Sequence, residues 1–334
     1  MTVNAYAAMN KGEELKEFKY EPQTLNPLDV EVKITHCGIC HSDVHLIDDD
    51  WGFSAFPLVP GHEIVGIVSN VGSEVNRIKI GDRVGIGWQS GSCQECEWCD
   101  KGEENLCDKA QPTCVGRYGG FADSIITDSR FAFVIPDTLE SENAAPLLCA
   151  GITVYSPMKI FGLKPHHKVG VIGIGGLGHL AIQFAASMGC EVTAFSTSPE
   201  KENEAKELGA HNFIVSTDNS EMENVVNSLD FILSTATAKI NWTQYINILR
   251  KNGKLAIVGA SPGNLDVPAL MLLFGQKSIG GSGIGGNPLI GEMLGFAARH
   301  NIKAKTEVMP MDKVNDALQK VREYKARYRM VLKN

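Results

Sequence analysis

Four of the nine cysteines fall between Cys93 and Cys107, at Cys93, Cys96, Cys99 and Cys107, a spacing of C-x2-C-x2-C-x7-C. Zinc takes four ligands tetrahedrally, and thiolates from one tight loop can meet at one ion without help from the rest of the chain. The cluster therefore reads as a closed, structural Zn(Cys)4 site. Disulfides and an iron–sulfur cluster satisfy the same count and stay open at this point. A zinc-ribbon surface for nucleic acid fits poorly, because the loop carries five Asp or Glu residues and one Lys, which repel phosphate. A closed site folds the chain, so the chemistry has to be sought elsewhere.

A second set of ligand types is scattered. "CGICHSDVH" places Cys40 beside His41, Ser42 and His45, "VPGHE" supplies His62 and Glu63, and "LLCAGITVY" supplies Cys149. Their separation gives no pairing, and a buried Cys or a lone His is more often a packed structural residue. The Gly and Pro around each form tight turns able to aim these side chains at one point.

The third constellation is Gly173-Ile174-Gly175-Gly176-Leu177-Gly178, a G-x-G-x-x-G directly after a β run. Leu177, Leu180, Ala181, Phe184, Ala185 and Met188 fall on one helical face behind it, and Gly189 ends the helix. In that context the glycines let the backbone approach a pyrophosphate at the helix N-terminus. An NAD site usually carries an acid about 20 residues on, to hold the ribose 2′-hydroxyl. Here Ser196, Thr197 and Ser198 are neutral and Lys201 is positive, which predicts NADP(H).

The elements that must position these groups come in two styles. Up to about residue 140, short β-rich runs ("DVEVKI", "EIVGIVSNVG", "DRVGIG", "SIITD") are punctuated by Gly, Pro and Asp, which predicts an irregular β-barrel. From about 168 the rhythm is strand, helix, strand through "KVGVIG", "EVTAFS", "NFIVS", "DFILST", "GKLAIVG" and "SIGGS", which predicts a doubly wound parallel sheet. The fold class is thus α/β. The domains are residues 1–150 with 286–334, carrying helices and one late β run "YRMVLK", and a dinucleotide domain at 151–285.

With 334 residues, two domains can each bury a core. The net charge of -8, without a block of like charges, argues against a nucleic-acid or anionic-membrane partner. The longest charge-free stretch, Val169 to Cys190, contains six glycines and is a poor membrane span. The first residues carry no secretory pattern, so a reducing cytoplasm is expected, where clustered cysteines are metal ligands more often than disulfides.

Taken in order, "GICHSDVH", "PLVPGHEIVGIV", "GDRVGIG", the cysteine loop, "LLCAGITVYSP", "GIGGLGH" and the serine-rich turn resemble the zinc-dependent medium-chain alcohol dehydrogenases. Within that family they resemble the branch of cinnamyl alcohol dehydrogenases and bacterial aldehyde reductases, over essentially the whole chain. The resemblance implies a GroES-like catalytic domain, a Rossmann domain, two zinc ions per chain, a small aldehyde or alcohol as substrate and a homodimer.

It assigns the catalytic zinc to Cys40, His62 and Cys149 with Glu63 approaching or exchanging onto it, the structural zinc to the four loop cysteines, and the orienting of His62 to Asp43. Ser42 and His45 become a proton relay. His41 is expected near the pyrophosphate and Thr153 near the nicotinamide, with Thr235, Gly259, Gly283 and Ile284 lining the cofactor. Cys37, Cys114 and Cys190 match no ligand and are assigned to packing. Trp51, Phe53, Trp88 and Tyr118 lie in segments that line the substrate cleft in relatives and differ from the plant cinnamyl enzymes. A secondary-alcohol or polyol dehydrogenase, and a non-catalytic nucleotide or redox sensor, are the alternatives.

Overall fold

The computed structural model describes residues 2–260 and 263–334. The chain divides into two compact units, Met1–Ile152 with Gly285–Asn334, and Thr153–Ile284.

In the first unit a seven-stranded sheet runs in the order Thr306–Pro310, Arg329–Lys333, Asp29–Ile39, Glu63–Val71, Arg83–Ile86, Ala132–Val134, and Ser124–Asp128 also pairs with Asp29–Ile39. Val30, Val32 and Ile34 alternate into the core as period 2 requires. A register irregularity between Ile34 and His36 then shifts the phase, so that Cys37 and Ile39 are buried in turn. The late run is observed as Arg329–Lys333, antiparallel to Asp29–Ile39. A second late strand, Thr306–Pro310, was not read from the sequence; it lies at the sheet edge, where Pro310 needs no ladder donor.

Helix His41–Ile47 follows directly from the long strand. It is fixed to the C-terminal helix Val314–Arg322 by a forked ion pair, with Arg322 Nη2 donating to Asp48 Oδ1 at 2.8 Å.

The second unit holds six parallel strands in the order Asn212–Val215, Glu191–Ser196, Lys168–Ile172, Leu229–Ser234, Leu249–Ile257, Ser278–Gly281. Counted along the chain this is 3-2-1-4-5-6, the order of a Rossmann sheet. Val169, Val171, Val192, Ala194, Ile232 and Leu233 are fully buried, the continuous apolar runs of strands covered on both faces. Helix Gly178–Ser187 buries Leu180, Ala181, Phe184 and Ala185 completely. Burial of a Leu or Phe side chain contributes about 1.5–3 kcal/mol. Gly189, at φ +85°, turns the chain out of the helix. Among the described residues no helix is long and apolar enough to cross a membrane.

Candidate active site and metal centres

Cys40 stands at the N-cap of helix His41–Ile47, and Asp43 at the third helical position reaches back so that its Oδ2 accepts from Cys40 N at 2.8 Å. Asp43 Oδ1 accepts from Gly61 N at 2.9 Å and from His62 Nδ1 at 3.0 Å. One fully buried carboxylate thus fixes a helix start, a glycine turn and an imidazole. It also settles the His62 tautomer: Nδ1 carries the proton and the Nε2 lone pair is left to point elsewhere.

That lone pair is the informative atom. His62 Nε2 is buried and has no hydrogen-bond partner among the described residues, and the same holds for Glu63 Oε2. Ligand atoms of Cys40, His62, Glu63 and Cys149 lie within 4.8 Å of one another, with the two sulfurs 3.9 Å apart. Buried polar atoms are normally paired, so two orphans facing two thiols form a donor set that a divalent metal would satisfy. Zinc–sulfur bonds of about 2.3 Å in a tetrahedron place sulfurs about 3.8 Å apart, which the pair matches. The bond with Cys149 holds the Cys40 thiol well below the ordinary range.

Glu63 Oε1 accepts from Arg329 Nη2. The pairing follows from register: Glu63 lies opposite Gly38 on one side of the long strand, and Met330, next to Arg329, lies opposite Ile39 on the other. Gly38 is what opens the path, because a Cβ there would collide with the Glu63 carboxylate. Burial pushes Glu63 up to about 7 against the opposing pull of Arg329.

Ser42 Oγ lies 3.6 Å from Cys40 Sγ. His45, one turn on, is partly exposed, and its Nδ1 meets Asp50 Oδ2 at 2.7 Å. Trp88 stands edge-on to His62 at 4.9 Å, Trp51 edge-on to Trp88 at 6.4 Å and 5.2 Å from His45, and Phe53 stacks on Trp51 at 5.6 Å. Trp88 thus stands beside the ligand set, and Trp51 and Phe53 continue outward from it toward solvent. Tyr118 does not join them: it packs with Tyr20 at 4.5 Å and Phe18 at 5.3 Å. His41 stacks on Tyr324 at 4.9 Å.

In the cysteine lobe the sulfur separations are 3.9 Å for Cys93–Cys99, 3.6 Å for Cys96–Cys99 and 3.5 Å for Cys107–Cys93. A disulfide needs about 2.05 Å, and all nine cysteines are free. The spacing is again that of a tetrahedron of thiolates around one metal. Glu104, buried within the same loop, accepts from Asn287 N at 2.8 Å and so caps helix Asn287–His300. Cys37, Cys114 and Cys190 are buried.

In the second unit Gly173, Ser196, Thr235, Gly259 and Gly283 sit at, or up to two residues beyond, the C-terminal ends of five strands of the sheet, where α/β sheets bind ligands. Gly173 has φ +85°. A Cβ on Gly178 would strike the Gly173 carbonyl, while one on Gly175 or Gly283 would meet open space. Thr235 Oγ1 donates to the carbonyls of Ile172 and Gly173 at 2.9 and 3.0 Å, locking the turn.

Ser196 is buried at the strand end, and its Oγ accepts from Ser198 N at 3.1 Å. Thr197 is exposed, and Lys201 Nζ donates to the Ile174 carbonyl at 2.8 Å. Ile174 and Leu177 complete the turn with Gly176, and Ile284 has φ +41°. Thr153 lies on helix Ala150–Ile160, four residues after Cys149.

Sequence reasoning missed Asp50, hidden in the run Asp48-Asp49-Asp50, and Arg329, which no local signal ties to Glu63 across 266 positions.

Residues 26–137 match the model of the alcohol dehydrogenase GroES-like domain and residues 176–299 that of the zinc-binding dehydrogenases. The chain is 46% identical over 338 residues to a probable mannitol dehydrogenase of Fragaria ananassa, covering 98% of this chain and 94% of the relative. It is 44% identical over 330 residues to the aldehyde reductase AdhA of Synechocystis, covering 99% and 98%. Among solved structures, a cinnamyl alcohol dehydrogenase of Sorghum bicolor superposes with a TM-score of 0.95 at 38% identity, covering 100% of this chain and 98% of that one. A CAD of Helicobacter pylori complexed with NADP(H) superposes with a TM-score of 0.91 at 32% identity, with the same coverage. With its scattered thiols and imidazole gathered at one buried point, the chain belongs to the zinc-dependent alcohol dehydrogenases, in the branch of the cinnamyl alcohol dehydrogenases and aldehyde reductases, and is an oxidoreductase of alcohols and aldehydes.

Proposed function

We propose that the chain is an NADPH-preferring aldehyde reductase, acting in reverse on primary alcohols, with two zinc ions per chain. The observation that carries the reading is the buried His62 Nε2, orphaned against the thiols of Cys40 and Cys149. These three residues would hold the catalytic metal, with Glu63 at hand on Arg329, and Cys93, Cys96, Cys99 and Cys107 would hold the structural one. When bound, zinc supplies Lewis acidity to the substrate oxygen and the reduced nicotinamide supplies the hydride.

The rest is the work of the chain. Reduction of an aldehyde adds a hydride at carbon and a proton at oxygen, and Ser42 is the hydroxyl beside the ligands that both donates and accepts. His45 is partly exposed and so can pass a proton to water, and Asp50 fixes its ring through Nδ1. Among the described residues no hydrogen bond joins Ser42 to His45, so they serve as two stations, one at the reacting end and one at the water end. Trp51, Phe53 and Trp88 favour a flat or apolar substrate and help exclude water.

For the coenzyme, Ser196 ends its strand where an NAD-binding chain usually has a carboxylate, which would repel a 2′-phosphate. Lys201 holds a positive charge at the glycine turn. Thr153, Gly259, Gly283 and Ile284 complete the proposed cofactor lining in the second unit. The NADP(H) complex of the Helicobacter pylori relative supports the same choice.

A homodimer is part of the proposal. Leu270, Leu273 and Phe274 are exposed, and they immediately precede Ser278–Gly281, the unpaired edge of the parallel sheet, a surface suited to a second copy. Nine free thiols suit a cytoplasmic location.

One observation favours a second reading, a polyol dehydrogenase: the 46% identity to a probable mannitol dehydrogenase. The aromatic wall beside His62 argues against so polar a substrate. Comparing kcat/KM for benzaldehyde, cinnamaldehyde and butanal with NADPH and NADH, and for mannitol with NADP+ and NAD+, separates them. A preference for NADH overturns the coenzyme assignment, and mannitol turned over better than every primary alcohol overturns the substrate class.

A further inference from the structure

His62 belongs to two separate groups. One holds Cys40, Glu63 and Cys149; in the other a ring nitrogen of His62, a carboxylate oxygen of Asp43 and the Cys114 sulfur lie within 4.8 Å of one another. Asp43, His62 and Cys114 are each fully buried. Asp43 accepts from His62 Nδ1, so Cys114 packs against the hydrogen-bonded Asp43–His62 pair.

The space around that sulfur is closed. Residues 59–61 and 119–121 are laced together by Gly119 N to Val59 O, Gly120 N to Gly61 O and Phe121 N to Pro60 O, at 2.8, 2.8 and 2.9 Å. A Cβ on Gly119 would sit 2.7 Å from Cys114 Cβ, and one on Gly61 would sit 2.8 Å from Phe121 N and 2.9 Å from Cys37 Sγ. Gly119 therefore packs directly against Cys114, and Gly61 against Phe121 and Cys37. The imidazole has one strong acceptor, Asp43 Oδ1, which it already shares with Gly61 N. A ring held by one shared bond rocks unless something fills the room behind it.

We propose that Cys114 is a positioning residue for the alcohol–aldehyde reaction: its thiol backs the His62 imidazole beside Asp43 and keeps Nε2 aimed at Cys40 and Cys149. The inference rests on the reading of His62 as a metal ligand. Sulfur suits the place because it fills volume while competing only weakly for the Nδ1 proton. A hydroxyl of the same reach would donate to Asp43 and loosen the bond that sets the tautomer, but it keeps part of the volume.

The test uses the full-length zinc protein and its cobalt-substituted form, with Cys114→Ala, Cys114→Ser and Cys149→Ser. Cys114→Ala is expected to release the catalytic zinc to a chelator at least tenfold faster, the range for groups that orient a ligand. It is also expected to shift the visible cobalt bands and to lower kcat with little change in the KM for NADPH. Cys114→Ser should lie between Ala and native in all three, and it carries the test if the Ala variant does not fold. Native release rates and native cobalt bands in both Cys114 variants overturn the proposal. If native protein and Cys149→Ser hold the same number of zinc ions, the ligand reading itself is wrong, a result distinct from the failure of Cys114 alone.

Discussion

Asp43→Asn tests the centre of the site while changing one atom's identity. The native carboxylate accepts three hydrogen bonds in full burial: Cys40 N at 2.8 Å, Gly61 N at 2.9 Å and His62 Nδ1 at 3.0 Å. An amide has one oxygen. If it faces Gly61 and His62, its NH2 group meets the Cys40 N–H, two donors with nothing between them; leaving a buried donor unpaired costs about 1–3 kcal/mol. The two bonds that survive lose their charge, and charged bonds contribute about 1.5–3 kcal/mol where neutral ones contribute about 0.5–1.5, a further ~2 kcal/mol over the pair. The total is about 3–5 kcal/mol, divided between folding and metal binding. The metal share is expected to be a 10–100-fold weaker catalytic zinc site, or about 1.4–2.8 kcal/mol at about 1.4 kcal/mol per decade. Competition against a chelator of known affinity measures it, and thermal unfolding of the zinc-loaded protein measures the rest. The zinc proposed for the lobe of Cys93, Cys96, Cys99 and Cys107 is the internal control and should not change. A catalytic site within threefold of native affinity, with unchanged unfolding, refutes the claim that Asp43 sets His62.

Cys107→Ser should remove one zinc and lower stability, because ligand binding and folding are linked. Glu104 in the same loop caps helix Asn287–His300, so that helix should gain amide exchange while the second unit keeps its protection. Ser196→Asp should shift kcat/KM toward NADH by about tenfold or more, roughly 1.4 kcal/mol; a variant that keeps the native coenzyme ratio denies Ser196 its role. Ser42→Ala should depress kcat strongly with zinc content and NADPH binding intact. His45→Gln should cost less, about tenfold, because water partly replaces a relay end, and added imidazole should restore some of its rate. Near-native kcat in Ser42→Ala, where chemistry limits the rate, removes Ser42 from the proton path. Phe274→Glu should convert a dimer to monomers in sedimentation velocity without changing zinc content; an unchanged sedimentation coefficient rejects that face.

What the sequence revealed and what it hid divide along the range of the interactions. The parallel sheet was legible because each of its strands is a local run of apolar residues ended by turn chemistry, and the glycine motif because its meaning depends on the strand before it and the helix after it. The cysteine lobe was legible for the same reason, all four sulfurs lying within one loop. The group proposed to hold the catalytic metal was not: Cys40, His62 and Cys149 carry no spacing signal, and only the resemblance linked them. The resemblance put Tyr118 only in a segment that lines the cleft in relatives, and here it packs with Phe18 and Tyr20, because a segment's path does not fix which way one side chain faces.

Arg329 marks the limit most clearly. Nothing near it in sequence points to Glu63, and a buried arginine looks costly until its partner is known. The partner is delivered by strand register: the C-terminal strand adds to one side of Asp29–Ile39, the strand from Glu63 to the other, and Gly38 between them leaves room for the carboxylate to cross. A glycine in mid-strand weakens the strand and often marks a close approach. Gly38 was the one local sign of this contact, and it could be understood only after both flanking strands were in place.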